Sequence, residues 1–224
     1  MGQTWKQVSG GNAHFAAIKT DGTLWTCGYG AKGQLGNGAI NNYSSPIQVG
    51  ALTNWLSVSC GGYSTIAVKT DGTLWSWGMN SRGVLGFNNT TYYSSPKQVG
   101  SLTTWSSVSC GQYFTTAIKT DGTLWAWGLN SSGQLGLGNL TYYSSPVQVG
   151  ALTNWATVSS GGGHAAAIKT DGTLWAWGRN LYGCLGLGNA TNYSSPKQVG
   201  TLTNWLSISC GYASNAARQF VGYQ

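Results

Sequence analysis

The sequence repeats itself with a period of 50 residues, and this period constrains the fold more than any other feature. The segment AIKTDGTLWAWG occurs at 117–128 and again at 167–178, with close variants at 17–28 and 67–78. The motif SSP followed by x-Q-V-G recurs at the same interval. A fixed period of this length indicates one supersecondary unit repeated along the chain. We therefore expect residues 1–224 to form a single repeat domain.

Each period contains four short segments with the composition of β-strands. In the fourth copy we predict strands at 155–160, 164–169, 173–178 and 196–199. The second and third are joined by Thr-Asp-Gly, a strong hairpin signal, because Gly adopts positive φ readily and Asp tolerates turn conformations. The Gly- and Asn-rich segment between WG and SSP is predicted to be a long loop. Four strands in about 50 residues is the unit of a β-propeller blade.

The fold class is therefore predicted to be all-β, with propeller blades of four antiparallel strands. The blades are expected at about 1–50, 51–100, 101–150 and 151–200, followed by a degenerate half-blade at 201–224. Four blades with two spare strands can close into a small ring, or they can form an open arc completed by a partner. We favour the arc, whose exposed end strands must be capped or paired.

The tryptophans fall into three columns of the repeat, which predicts packing positions. Each buried large side chain contributes about 1.5–3 kcal/mol, so these columns could supply much of the stability. The first copy has Trp5 in the first column but Cys27 in the third. The predicted core tryptophans are Trp55, Trp105, Trp155 and Trp205, then Trp25, Trp75, Trp125 and Trp175, and finally Trp77, Trp127 and Trp177.

The acidic residues of the chain are four aspartates, one in each Thr-Asp-Gly turn. Acid–base catalysis needs paired groups in proximity, whereas equivalent turns of separate blades lie apart. We therefore predict that the aspartates and the glycines after them are structural turn residues. These residues are Asp21, Asp71, Asp121 and Asp171, with Gly22, Gly72, Gly122 and Gly172.

From the histidines and cysteines we predict no catalytic residue, no metal site and no cofactor. His14 and His164 share a repeat column and have no acid or Cys nearby in sequence, so packing or hydrogen bonding is expected. The five cysteines, Cys184 among them, are expected to be free and mostly buried, with Cys184 in a variable loop as the thiol to test for reactivity. Asn-x-Ser/Thr sequons begin at Asn42, Asn88, Asn89, Asn130, Asn139, Asn189 and Asn192.

The repeated motif also resembles a known family. The clearest copy, AIKTDGTLWAWGLNSSGQLGLG from Ala117 to Gly138, is similar to repeats of the regulator of chromosome condensation family. The resemblance covers nearly all of the chain and implies a β-propeller, most familiarly with seven blades. Its members include exchange factors for a small GTPase, chromatin binders, ubiquitin-ligase modules, a plant photoreceptor and a β-lactamase inhibitor. The resemblance thus implies a fold and leaves the function to be argued from sites.

Charge and copy-to-copy variation indicate where partners could bind. The formal net charge is +7, but the basic residues are scattered, so a nucleic-acid partner is not expected. No apolar stretch is long enough to span a membrane, and no secretory signal is recognised. Divergent loop positions predict a binding face for a protein partner. Its residues are Tyr29, Lys32, Arg82, Arg179 and Tyr182.

Two functions remain open from the sequence. The first is a non-catalytic interaction or assembly protein: either a subunit of a virion, a filament or a surface structure that self-associates through its exposed end strands, or a surface recognition module. Low charge and abundant aromatic residues favour it, because such surfaces are adhesive. The alternative is a regulatory propeller acting on a small GTPase or on chromatin, which the family resemblance implies.

Overall fold

The regular structure is entirely β, as the sequence predicted. The computed structural model describes residues 4–211, in which sixteen strands form four separate antiparallel sheets of four. Within each sheet the strands lie in chain order, so every sheet is an up-and-down meander of neighbouring strands. This is the arrangement of β-propeller blades.

The strands recur at equivalent positions in the four sheets, which we call blades one to four. The first strands are β1 (Trp5–Gly10), β5 (Trp55–Cys60), β9 (Trp105–Cys110) and β13 (Trp155–Ser160). The second strands are β2 (His14–Lys19), β6 (Ser64–Lys69), β10 (Phe114–Lys119) and β14 (His164–Lys169). The third strands are β3 (Leu24–Gly28), β7 (Leu74–Gly78), β11 (Leu124–Gly128) and β15 (Leu174–Gly178). The fourth strands are β4 (Tyr43–Gln48), β8 (Tyr93–Gln98), β12 (Tyr143–Gln148) and β16 (Tyr193–Gln198).

The fourth strand of each blade begins earlier than we predicted. In blade four it runs over Tyr193–Gln198 instead of 196–199, and therefore includes the whole Ser-Ser-Pro motif. This strand lies at the edge of its sheet, where Pro is tolerated, and its pairing with β15 is irregular between Tyr193 and Lys197, the stretch that contains Pro196. The prediction began the strand at Pro196 and left residues 193–195 in the preceding loop.

The blades pack in chain order and do not close into a ring. Contacts join β1 to β5, β5 to β9 and β9 to β13, so the first strands lie innermost. Within residues 4–211 no comparable contact joins blade one to blade four. The chain is therefore an open arc, and the four-bladed closed ring is not formed.

The segment 201–211 continues the arc at the position of a fifth innermost strand. Trp205 and Ile208 pack against the buried cluster of Ile168 and Leu174, and the Cys210 amide donates to Ser159 Oγ at 2.9 Å. The rest of the predicted half-blade, 212–224, lies outside the described residues.

Each junction between blades is built around a tryptophan of the later blade. Trp55 and Trp77 of blade two pack with Ile18 and Leu24 of blade one, and their rings meet edge to face. The Trp77 indole N–H also donates to the Gln34 carbonyl of blade one at 3.0 Å. The same bond joins Trp127 to Val84 at 2.8 Å and Trp177 to Gln134 at 3.0 Å. These third-column tryptophans are fully buried.

Candidate binding face

The two ends of each blade carry different chemistry. The turn between the second and third strands lies at one end of the third strand, and the loop before the fourth strand lies at the other. A five-residue strand such as β3 separates them by roughly 16 Å. We call the end with the Thr-Asp-Gly turns the turn rim. The opposite end, with the loops after the third strands, is the loop rim.

On the turn rim, each aspartate organises its hairpin. Asp21 Oδ1 accepts hydrogen bonds from the Thr23 amide at 2.9 Å and from the Thr23 hydroxyl at 2.6 Å. The Thr23 hydroxyl in turn accepts the indole N–H of Trp25 at 2.8 Å. The other three blades repeat this Asp–Thr–Trp chain. The carboxylate therefore fixes the turn and the orientation of a tryptophan.

The glycine after each aspartate is required for two reasons. Gly22 has a φ of +79°, in the left-handed region that favours glycine. A Cβ at Gly22 would also collide with the Thr53 carbonyl of the next blade. The same approach recurs between Gly72 and Thr103.

The charged side chains of the turn rim make their contacts within their own blade. The hydrogen bonds from Thr23 hold the pKa of the Asp21 carboxyl below its usual value, and equivalent bonds do so at the other three aspartates. Each neighbouring lysine stacks on a second-column tryptophan, with its Nζ 3.6–3.8 Å from the ring centroid. These tryptophans are consequently half-buried, covered by lysine, whereas the third-column tryptophans are buried.

The loop rim holds all five residues that the sequence predicted as a binding face. Lys32, Arg82 and Arg179 are exposed, and Tyr182 is exposed by 46%. Tyr29 is half-buried, with its ring 6.0 Å from that of Tyr63. Because every acidic residue of the chain lies in a turn at the other end of a blade, the loop rim is positive.

Sequence reasoning missed aromatic residues that extend this positive surface. The guanidinium of Arg82 lies 6.0 Å from the ring of Tyr142, which belongs to the loop of the next blade. Tyr92 and Tyr142 are both exposed. The signal was the Tyr-Tyr pair before Ser-Ser-Pro in copies two and three, which copies one and four replace with Asn-Tyr.

The loops themselves are held by buried asparagines whose structural role the sequence did not predict. Asn130 accepts the Leu135 amide at 2.9 Å and donates to the carbonyls of Asn139 and Thr141 at 2.9 and 3.0 Å. Asn80 and Asn180 make equivalent bonds in their own loops. The sequon at Asn130 therefore has a buried, fully engaged amide. The sequence signal for this role was the Asn that recurs two positions after Trp-Gly in copies two to four.

The histidines and cysteines face the interior. His14 Nε2 lies 3.0 Å from Thr65 Oγ1 of blade two, and burial lowers the His14 pKa to about 4. Cys184, singled out for reactivity, is buried and its thiol donates to the Arg179 carbonyl at 3.1 Å. Burial raises the Cys184 pKa, which disfavours the reactive thiolate. Within residues 4–211 no group of three or more His, Cys or Asp side chains could hold a metal ion.

Comparison with known proteins agrees with this architecture. A family model described as the RCC1-like domain matches residues 1–221. The chain belongs to the RCC1-like domain family. The resemblance found in the repeats, to the regulator of chromosome condensation, is thereby confirmed. The comparison with curated protein sequences found no match.

Solved structures share the RCC1-like fold. Human WBSCR16 is 25% identical, with a TM-score of 0.85 over 95% of this chain and 57% of its own. Prp20p from Saccharomyces cerevisiae is 20% identical, with a TM-score of 0.83 over 95% of this chain and 55% of its own. The same yeast protein bound to Kap60 gives 0.84, at 20% identity, over 98% of this chain and 53% of its own. The chain thus spans about half the length of these proteins. No helix in the described part of this RCC1-like chain has the length and apolarity to cross a membrane.

Proposed function

We propose that this RCC1-like chain is a non-catalytic regulatory binding module that docks a protein partner on its loop rim. The observation that carries the proposal is the separation of charge between the two rims. On the turn rim the aspartates accept hydrogen bonds from threonines of their own hairpins and the lysines stack on tryptophans, whereas Lys32, Arg82 and Arg179 are exposed on the loop rim. A partner with an acidic surface fits this arrangement.

Similar solved structures support a regulatory function. Yeast Prp20p is described with its binding properties to Gsp1p and histones, and in complex with Kap60. We therefore favour a partner of the small-GTPase or chromatin class. The comparisons offer no support for a virion or filament subunit, the first hypothesis from the sequence. Because one fold serves many functions, the loop-rim residues must decide between partners.

The experiment measures GDP release from a panel of small GTPases and, separately, binding to reconstituted nucleosomes. The test variant is Lys32→Ala/Arg82→Ala/Arg179→Ala. The matched control, Lys6→Ala/Lys97→Ala/Lys197→Ala, removes the same charge from exposed strand positions.

The rim variant should lower the active partner's affinity roughly tenfold, since an exposed charge pair contributes about 0.2–1 kcal/mol. The control should retain most of the affinity, and added salt should narrow the difference. Equal losses in both variants would show that net charge, and not the loop rim, attracts the partner. Failure of both partner classes to respond would refute the proposal.

A further inference from the structure

Two clefts lie between neighbouring blades at equivalent places, away from the loop-rim charges. The first cleft lies between blades one and two and has a volume of about 370 Å³. The second separates blades three and four, with about 270 Å³. Each opens beside the fourth strand of the later blade. The shared lining is Val49, Leu52, Trp55, Trp75 and Pro96 in the first cleft and Val149, Leu152, Trp155, Trp175 and Pro196 in the second.

The lining and size of the clefts suit one apolar side chain with its adjoining backbone. A cavity of about 150 Å³ lined by apolar groups binds benzene, whereas sites for larger ligands run from about 300 to 1,000 Å³. Leu52 and Leu152 are about half exposed at the clefts. The Ser95 and Ser195 hydroxyls also line them and could bond to a peptide backbone.

The middle junction shows which kind of side chain fits this lining. The repeat column that borders the clefts holds Asn37 at the first junction and Leu137 at the third, but Phe87 at the second. Phe87 packs against the buried cluster that contains Val99 and Trp105. These two residues are equivalent to Val49 and Trp55 of the first cleft. The protein therefore places its own phenyl ring on this lining at one junction.

We propose that the clefts beside Trp75 and Trp175 each bind an aromatic side chain presented by an extended segment of a partner protein. In the first cleft the ring takes the place that Phe87 takes at the middle junction, and in the second it packs beside Leu137, which lies against the cluster of Val149 and Trp155. The serine hydroxyls bond the flanking peptide groups. The clefts contain none of Lys32, Arg82 and Arg179, so this proposal does not depend on the loop-rim charges.

The test follows the indole ¹⁵N–¹H resonances of the full chain while acetyl-Gly-Phe-Gly-amide is added at millimolar concentration. The Trp75 and Trp175 signals should shift by an amount that saturates, and the Trp125 signal of the middle junction should stay in place. Acetyl-Gly-Ala-Gly-amide should shift none of them. No response to the phenylalanine peptide, or an equal response to the alanine peptide, would overturn the proposal.

Exchanging residues between junctions sharpens the test. Asn37→Phe should abolish the Trp75 response, and Leu137→Phe should abolish the Trp175 response, each without affecting the other. Phe87→Asn should create a response at Trp125. If that variant fails to fold, Phe87→Leu, which copies Leu137, takes its place. Retained responses in both filled variants would show that the peptide binds elsewhere and would refute the assignment.

Discussion

Blade one differs from the three later blades in one cross-strand pair on the face that points toward a preceding blade. In the later blades this pair joins a small residue to a tryptophan: Thr65 to Trp77, Thr115 to Trp127 and Ala165 to Trp177. In blade one it joins Phe15 to Cys27. The large and small members have exchanged strands, so the blade keeps an aromatic ring but loses the tryptophan.

The comparison teaches that the junction, and not the blade, requires the tryptophan. Trp77 fills the space against blade one and donates to its loop, whereas in residues 4–211 no sheet packs on the equivalent face of blade one. There Val8 is exposed by 62%, against 2% for its equivalent Val58. The Cys27 thiol instead donates within its own sheet, to the Tyr43 carbonyl at 3.1 Å. Self-association through this open face stays a prediction, and light scattering over a concentration series would test it.

The largest expected effect comes from removing the tryptophan of an inner junction. Trp127→Ala should lower the free energy of unfolding by about 3–5 kcal/mol, because it leaves a cavity and removes one of the two donors to the Val84 carbonyl, the other being the Thr115 hydroxyl. Cys27→Ala should cost only about 1 kcal/mol, because within residues 4–211 that side chain bonds inside its own sheet and bridges no junction. Urea unfolding followed by circular dichroism measures both. Similar losses would mean that blade one depends on its third column as much as the others do.

A second contrast lies in the loops. Asn130→Ala should cost about 3 kcal/mol, because the Leu135 amide and two carbonyls lose their buried partner. Ser131→Ala, one residue further and exposed, should change stability by less than about 0.5 kcal/mol. Blade one has Gly30 in this column, and its amide donates to Asn42 Oδ1 at 3.0 Å.

The reverse exchange, Gly30→Asn, should also destabilise, because a Cβ at Gly30 collides with the Asn41 carbonyl. The same urea unfolding series measures it. A stabilising Gly30→Asn would show that the two loop designs are interchangeable.

These residues show which features of the fold could be predicted from the sequence. The period, the strand types and the Thr-Asp-Gly turns follow from local patterns, because each copy repeats its own turn and alternation. The junctions do not, because they join residues 43 positions apart, as Trp77 and Gln34 are joined. The sequence showed Cys27 as an exception to a column. Only the packing of the blades shows that Cys27 lies on the face of blade one against which no sheet packs within residues 4–211.

The opposite face of blade one, which meets blade two, gives a pH-dependent test. Burial lowers the His14 pKa to about 4, so the folded state stays neutral while the unfolded state binds a proton below pH 6.5. Stability should therefore be full above pH 6.5 and fall as the pH drops toward 4, with His14 and His164 each contributing about 2 kcal/mol of the loss at pH 5. His14→Ser, which copies Ser64, should remove about half of this slope in unfolding curves measured from pH 7 to 5. An unchanged slope would mean that the pH dependence comes from another group, such as His164, the other buried histidine.

The smallest expected effect is the coupling within the exchanged pair itself. Phe15→Thr removes a half-buried ring from blade one, and Cys27→Trp adds a ring beside Phe15. The double variant copies the Thr65–Trp77 pair of blade two and should be more stable than the sum of the single changes predicts, by about 1 kcal/mol. Urea unfolding of the four proteins gives this coupling. Additive effects would mean that Phe15 and Cys27 vary independently. We expect favourable coupling but no gain over the native pair, because within residues 4–211 the new indole has neighbours inside blade one but no equivalent of the Gln34 carbonyl that accepts the Trp77 N–H.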